Sequence, residues 1–138
     1  MTKEDKLNYS KLLLENARQC VRTARNNVEF RDYKAAANRS YYAIFHSMRA
    51  VLMLEEENTQ QSKHSGVISV FRQRYIKEGI FSKEHSRTIS DAFEIRNEAD
   101  YDVSYIISKE SVVEQINRAE EFLKAVENYL AQQGVQLL

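Results

Sequence analysis

Proline is absent from the 138 residues, and glycine occurs three times, as Gly66, Gly79 and Gly134. A many-stranded β protein needs turn formers at short intervals, so their scarcity excludes that class. Cysteine occurs once, at Cys20, which leaves no internal disulfide and no multi-cysteine zinc site. Its simplest place is as a small core residue. Long apolar runs are missing too, so no segment reads as a membrane span. The opening Met-Thr-Lys-Glu-Asp-Lys lacks the apolar stretch of a signal peptide, and the expected location is the cytoplasm. Nor is there an excess of one charge, because 20 Lys and Arg balance 20 Asp and Glu. This argues against a histone-like nucleic-acid binder and leaves a local basic patch open.

What is present fits a helical globular protein. Hydrophobic residues are 43% and charged residues 29%, a soluble balance. The length suits one domain over 1–138, with enough chain to bury a core without staples. Leu14, Ala17, Val21, Ala24 and Val28 recur in steps of three and four, which places them on one helical face. Thr2 and Asp5 suit the start of that helix, since a Thr oxygen accepts a free amide and an acid suits the positive end. The helix should end near Glu29–Asp32.

A second helix is expected over about Tyr33 to Glu56, with Ala37, Tyr41, Ile44, Phe45, Met48, Val51 and Leu52 on one face. The polar run from Glu57 to Lys63 reads as a loop. A short third helix spans about Ser65 to Lys77, with Gly79 as its stop. Ser82 caps a fourth helix to about Ala99, and Ser108 caps a fifth carrying Val112, Ile116, Ala119, Leu123, Val126 and Leu130. The expected fold is all-α: an up-and-down bundle of about five helices, the first, second and fifth side by side and the shorter pair closing one end.

The informative residues are those a bundle does not require. In the fourth helix, Ile89, Ala92, Phe93, Arg96 and Asp100 share a stripe. An unpaired guanidinium there would cost several kcal/mol, so Arg96 must pair, line a cleft or reach solvent. Asp100, one turn on, is its nearest partner in the sequence. One reading is a structural ion pair at the helix end; the other is a cation for phosphate, whose oxygens match the Arg fork.

Arg39, Tyr42, His46 and Arg49 fall within about an 80° arc of the second helix, away from its apolar face. Such a row can hold a phosphate and stack a base, or can be an ordinary solvated face. His64 opens the third helix as a cap or rim residue, and His85 in the fourth should face water. No two histidines stand three or four apart, and no Gly-rich phosphate loop or Cys-His signature occurs, so neither a metal nor a cofactor is expected. Arg18, Arg22, Arg25 and Arg31 make a basic edge, while Glu110, Glu114, Glu120, Glu121 and Glu127 make the fifth helix acidic. These could steer a polyanion, pair two subunits, or simply pair with neighbours.

The run Tyr33-Lys-Ala-Ala-Ala-Asn-Arg-Ser-Tyr-Tyr-Ala-Ile-Phe-His46 closely resembles the second helix of small stand-alone HEPN-domain proteins. His64-Ser-Gly-Val-Ile68 and Arg96-Asn-Glu-Ala-Asp-Tyr101 resemble two further blocks of that subgroup, in the same order, so the resemblance covers nearly the whole chain. It implies an α-helical up-and-down bundle that commonly forms a homodimer. It also implies an association with a minimal nucleotidyltransferase in two-component, toxin–antitoxin-like modules. Many members are metal-independent endoribonucleases, whose motif is Arg, four to six residues, then His, with a polar residue often after the Arg. In a dimer cleft the Arg holds phosphate and the His assists proton transfer at the ribose 2′-hydroxyl.

Here Arg96 matches the motif arginine and Asn97 the polar residue, but the positions open to the histidine hold Tyr101, Asp102 and Val103. A phenol with a pKa of about 10 is a poor base near pH 7. The candidate catalytic group is therefore Arg96, Asp100 and Tyr101, and the candidate binding residues are Arg39, Tyr42, His46, His64 and Asn97. Three readings follow. The first is a nucleotide- or RNA-binding or partner-docking module without strong catalysis. The second is a weak ribonuclease using Arg96 with a base relocated to His46, His64 or Tyr101. The third makes Arg96–Asp100–Tyr101 a structural lock.

Overall fold

The computed structural model describes residues 1–55 and 63–136. Among the described residues five α-helices succeed one another: α1 (Lys3–Glu29), α2 (Tyr33–Glu55), α3 (His64–Phe71), α4 (Lys83–Tyr101) and α5 (Lys109–Gln132). No strand occurs among the described residues, as an all-α bundle requires. The expected polar loop from Glu57 to Lys63, apart from Lys63 itself, and Glu56 as the last residue of α2 lie outside the described residues.

Local chemistry sets several helix ends. Thr2 and Asp5 form a reciprocal capping box, with Asp5 N–H donating to Thr2 Oγ1 at 3.0 Å and Thr2 N–H to Asp5 Oδ2 at 3.1 Å. Ser108 caps α5 by accepting from Ser111 N–H at 3.1 Å. Ser82 precedes α4 as expected, but its side chain makes no capping bond. The third helix differs from the expected single element. After Phe71 it widens into a π-helical turn, Arg72–Ile76, closed by Lys77 N–H donating to Arg72 O at 2.8 Å. Gly79 then reverses the chain at φ 81°, a left-handed conformation that only glycine adopts without strain.

The second helix is the hub, packed against α1, α3, α4 and α5. Its apolar surface is not the single expected face, because no residue from Tyr33 to Leu54 is fully exposed. Small residues make this possible: Ala36, Ala37, Ser40, Ala43, Ser47 and Ala50 are all buried. Their hydroxyls are satisfied locally, Ser40 donating to Ala37 O at 2.9 Å and Ser47 to Ala43 O at 2.7 Å. The Arg39–Tyr42–His46–Arg49 stripe is thus half-buried rather than a solvated face.

A second cluster joins α5 to the chain around the π turn. The fully buried Phe122 ring lies 5.6 Å from Phe71 and 6.0 Å from Phe81, centre to centre. His85 belongs here. It is half-buried, not simply turned to water, and packs 5.4 Å from Phe122, where burial pushes its pKa below the ordinary histidine value. The charged edges of α1 and α5 also find each other within the chain: Arg18 meets Glu127 at 2.6 Å and Arg25 meets Glu120 at 3.1 Å. Neighbour pairing therefore accounts for these four residues, and such part-exposed pairs contribute about 1 kcal/mol or less each. Cys20 is a buried core residue of α1. No described helix is long and apolar enough to cross a membrane.

Candidate functional site

The Arg96 guanidinium is where α2, α3 and α4 converge. Its side chain is 18% exposed, and Nε lies 3.1 Å from Asp100 Oδ2. That contact is an ion pair without a well-aligned hydrogen bond, since Nε finds no acceptor along its N–H direction. The rest of the fork faces α2. Nη2 approaches the Tyr42 hydroxyl at 3.4 Å, and Cζ lies 5.4 Å from the Tyr41 ring centre and 5.7 Å from that of Tyr42. Aromatic faces carry negative charge density, so the two tyrosines hold the cation without neutralising it. Asn97 Oδ1 stands 3.5 Å from Nη1, at the limit of a hydrogen bond.

The stripe on α2 extends this group. Arg39 Cζ lies 5.3 Å from the centre of the Tyr42 ring, and its Nη2 donates to Asn38 Oδ1 at 3.0 Å. Arg49 lies 5.7 Å from the Tyr9 ring and 6.0 Å from the Phe45 ring. Neither Arg39 nor Arg49 meets a carboxylate among the described residues. Of these three guanidiniums, only that of Arg96 meets an acid among the described residues, Asp100.

His64 enters from α3. Its ring lies 4.2 Å from Phe45 and 5.6 Å from Tyr42, and Nδ1 is 2.9 Å from the Tyr41 hydroxyl. Tyr41 is fully buried, and desolvation raises its pKa, so it stays a neutral phenol. Burial, then Arg96 and Arg49, lower the pKa of His64. His46 is affected more strongly. Burial, helped by Arg49, Arg39 and His64, holds its pKa down to about 4, and its Nδ1 is buried without a partner. Both imidazoles are uncharged at neutral pH. Each is correspondingly a weaker proton acceptor than a free histidine.

Of the candidate residues, Arg96, Asp100, Asn97, Arg39, Tyr42, His46 and His64 share this neighbourhood. Tyr101 does not join them. It ends α4 at 82% exposure, so the Arg96–Asp100 pair stands without it. Two members escaped sequence reasoning. Tyr41 reads as core, although a buried phenol must find a partner, which was the available signal. Tyr9 of α1, which accepts from Arg49 Nη2 at 3.4 Å, carries no signal in its spacing. Among the described residues no cluster of three or more His, Cys, Asp or Glu side chains is placed to hold a metal ion.

The neutral state of His46 has a consequence for stability. An unfolded histidine takes a proton near pH 6.5, whereas the folded one resists it until about pH 4. Between those values the unfolded chain binds more protons, so stability falls as pH falls and is fully present above pH 6.5. Chemical denaturation at pH 7 and pH 5 should show a loss on the order of 1 kcal/mol from this residue. His46→Gln should flatten the slope; an unchanged slope would contradict the burial of the ring.

Comparison with known proteins covers the same ground. The HEPN domain model matches residues 10–129. A protein of Methanocaldococcus jannaschii named "Putative toxin MJ0142" is 32% identical over 89% of this chain and 82% of its own length. A UPF0332 protein of Thermotoga maritima is 33% identical over 83% of this chain and 85% of its own. A second M. jannaschii protein, "Putative toxin MJ0605", is 33% identical over 78% of this chain and 85% of its own.

Proposed function

Since the chain belongs to the HEPN domain family, we propose that it is the nucleotide- or RNA-binding member of a two-component, toxin–antitoxin-like system, without strong catalysis. The observation that carries this reading is the set of three guanidiniums, two of them without a carboxylate, around the rings of Tyr42, Phe45, His46 and His64. Guanidinium forks match phosphate oxygens, and flat rings beside them offer bases a stacking surface. Two similar proteins carry the word toxin in their names, which supports the two-component setting; a nucleotidyltransferase is our proposed docking partner.

Weak catalysis follows from the proton chemistry. Arg96 can stabilise a charged phosphorane, but the positions open to the motif histidine hold Tyr101, Asp102 and Val103, all exposed. His46, with a pKa near 4, is a poor base at neutral pH. One observation favours a weak metal-independent endoribonuclease as the second reading: His64 shares the tier with Arg96 and is oriented by Tyr41 at 2.9 Å.

A homodimer is the proposed assembly. Phe30, Tyr101, Val103 and Ile106 are strongly exposed. Phe30 lies in the α1–α2 turn and the other three at the end of α4 and in the α4–α5 connector, and Lys34 Nζ links the start of α2 to that connector by reaching Asp102 O at 3.4 Å. Surface apolar groups of this kind usually mark an interface.

The test is incubation of the purified protein with mixed single-stranded RNA in chelator. Salt-sensitive binding, no robust cleavage and a light-scattering mass about twice that of the chain are expected. Robust cleavage that disappears in His64→Ala would replace this reading with the second one.

A further inference from the structure

A trench of about 850 Å³ runs between α4 on one side and α3 with its π turn on the other. Its apolar lining includes Ile68, Ile76, Ile89 and Phe93. Ile89 is wholly buried, so the floor belongs to the folded core and is not a loose surface patch. A volume of this size lies in the range of small-molecule sites, which combine apolar walls with a few fixed polar groups.

Arg72 is the fixed polar group. It begins the π turn, and its side chain crosses the trench wall to α4. Nε donates to Ser86 Oγ at 3.1 Å, Nη2 to Ser86 O at 3.0 Å, and Nη2 also to Ser90 Oγ. All three acceptors are uncharged. No carboxylate pairs with Arg72 among the described residues, although Glu94 lines the same trench. Nη1 is left without a protein acceptor. A guanidinium ordered by serines, with its charge uncompensated and two N–H groups free, has already lost the rotamer freedom that binding an anion would otherwise cost. The widened backbone fits the same purpose, since π segments inside helices occur frequently at functional sites.

We propose that this trench binds a small amphipathic anion. One carboxylate, sulfonate or phosphate head is held by Arg72, and an apolar body lies against Ile68, Ile89 and Phe93. Charge complementarity selects the head, because Arg72 has no acid of its own. The lining selects the body. The anion is held by Arg72 and not by Arg96, so this proposal stands or falls independently of the proposed function.

Decanoate and decanol, below the concentration at which either self-associates, are the probes. They share an apolar chain and differ in the head. On protein with labelled isoleucine methyls, decanoate should give saturable shifts confined to Ile68, Ile76 and Ile89, with decanol at least about tenfold weaker. Arg72→Gln should abolish that preference, and Ser69→Trp, at an exposed position on the trench rim, should weaken both ligands. Equal affinity for the two ligands in the unaltered protein, or shifts scattered over the surface, would overturn the proposal. If Arg72→Gln loses its helical signal, nuclear Overhauser contacts in the unaltered protein decide instead. Contacts from the decanoate head methylene to the Arg72 δ protons support the site, and their absence or a reversed orientation overturns it. Failure of both ligands to saturate also overturns it and leaves the trench to a protein partner.

Discussion

Arg96→Ala is expected to weaken binding of a short single-stranded RNA by about 10–100-fold while leaving the helical content unchanged. Hydrogen bonds to a charged group are worth about 1.5–3 kcal/mol, and each 1.4 kcal/mol is tenfold in affinity. The guanidinium is poised for that interaction: it rests on the Tyr41 and Tyr42 rings and shares its charge with Asp100 at 3.1 Å. Truncation leaves Asp100 unpaired, but that carboxylate is 36% exposed and can be rehydrated, so the cost to the fold should be small. Fluorescence anisotropy for affinity and circular dichroism for helix content check the two halves separately. Arg96→Lys should recover part of the affinity, since it restores a charge but not the planar fork. Should Arg96→Ala unfold the protein, with no binding detectable before substitution, Arg96 and Asp100 are a structural lock at the end of α4. Undiminished binding in a folded Arg96→Ala protein would remove Arg96 from the site.

Phe122→Ala should destabilise the bundle by about 3–5 kcal/mol, the usual cost of emptying an aromatic site in a core. Phe122 has no exposed surface and touches Phe71, Phe81 and His85, so its removal opens a cavity among rings from α3, the segment before α4, and α4 itself. Natural domains have only about 5–15 kcal/mol of stability, so this one change could take a large share. Urea unfolding should show a much lower midpoint with an unchanged slope. A shift below about 1 kcal/mol would mean that the ring cluster collapses to fill the space. The Arg96 group should be less affected, because Phe122 packs around the π turn and not against Tyr41 or Tyr42.

Each helix was legible in the residues because helix formation is a local matter. The steps of three and four in α1 and α5, the Thr2–Asp5 box, Ser108 as a cap and Gly79 as a stop all act within a turn or two of themselves. The Arg96–Asp100 pair was legible for the same reason, since one helical turn separates its members. The stripe on α2 could be placed on one face, but not judged half-buried. That depends on how many helices pack around α2, a number its own periodicity does not contain. The pairing of Arg18 with Glu127 and of Arg25 with Glu120 bridges α1 and α5 across the chain. Likewise, His85 turned from solvent to Phe122 once α5 lay beside it.

The site's chemistry belongs to the tertiary structure in the same way. Spacing supplied an arginine, a row of polar residues and a histidine at the head of α3. The packing of α3 and α4 against α2 placed His64 on Tyr41 and Phe45, and Arg96 over two rings. Burial then set the protonation of His46 and His64, and so how poorly either serves as a base. The sequence by itself determined which segments are helical and which side chains share a face, because a helix repeats every 3.6 residues whatever surrounds it. The tertiary structure decided which of those faces meet and how dry the meeting is, because crossing and burial arise from all the helices packing at once.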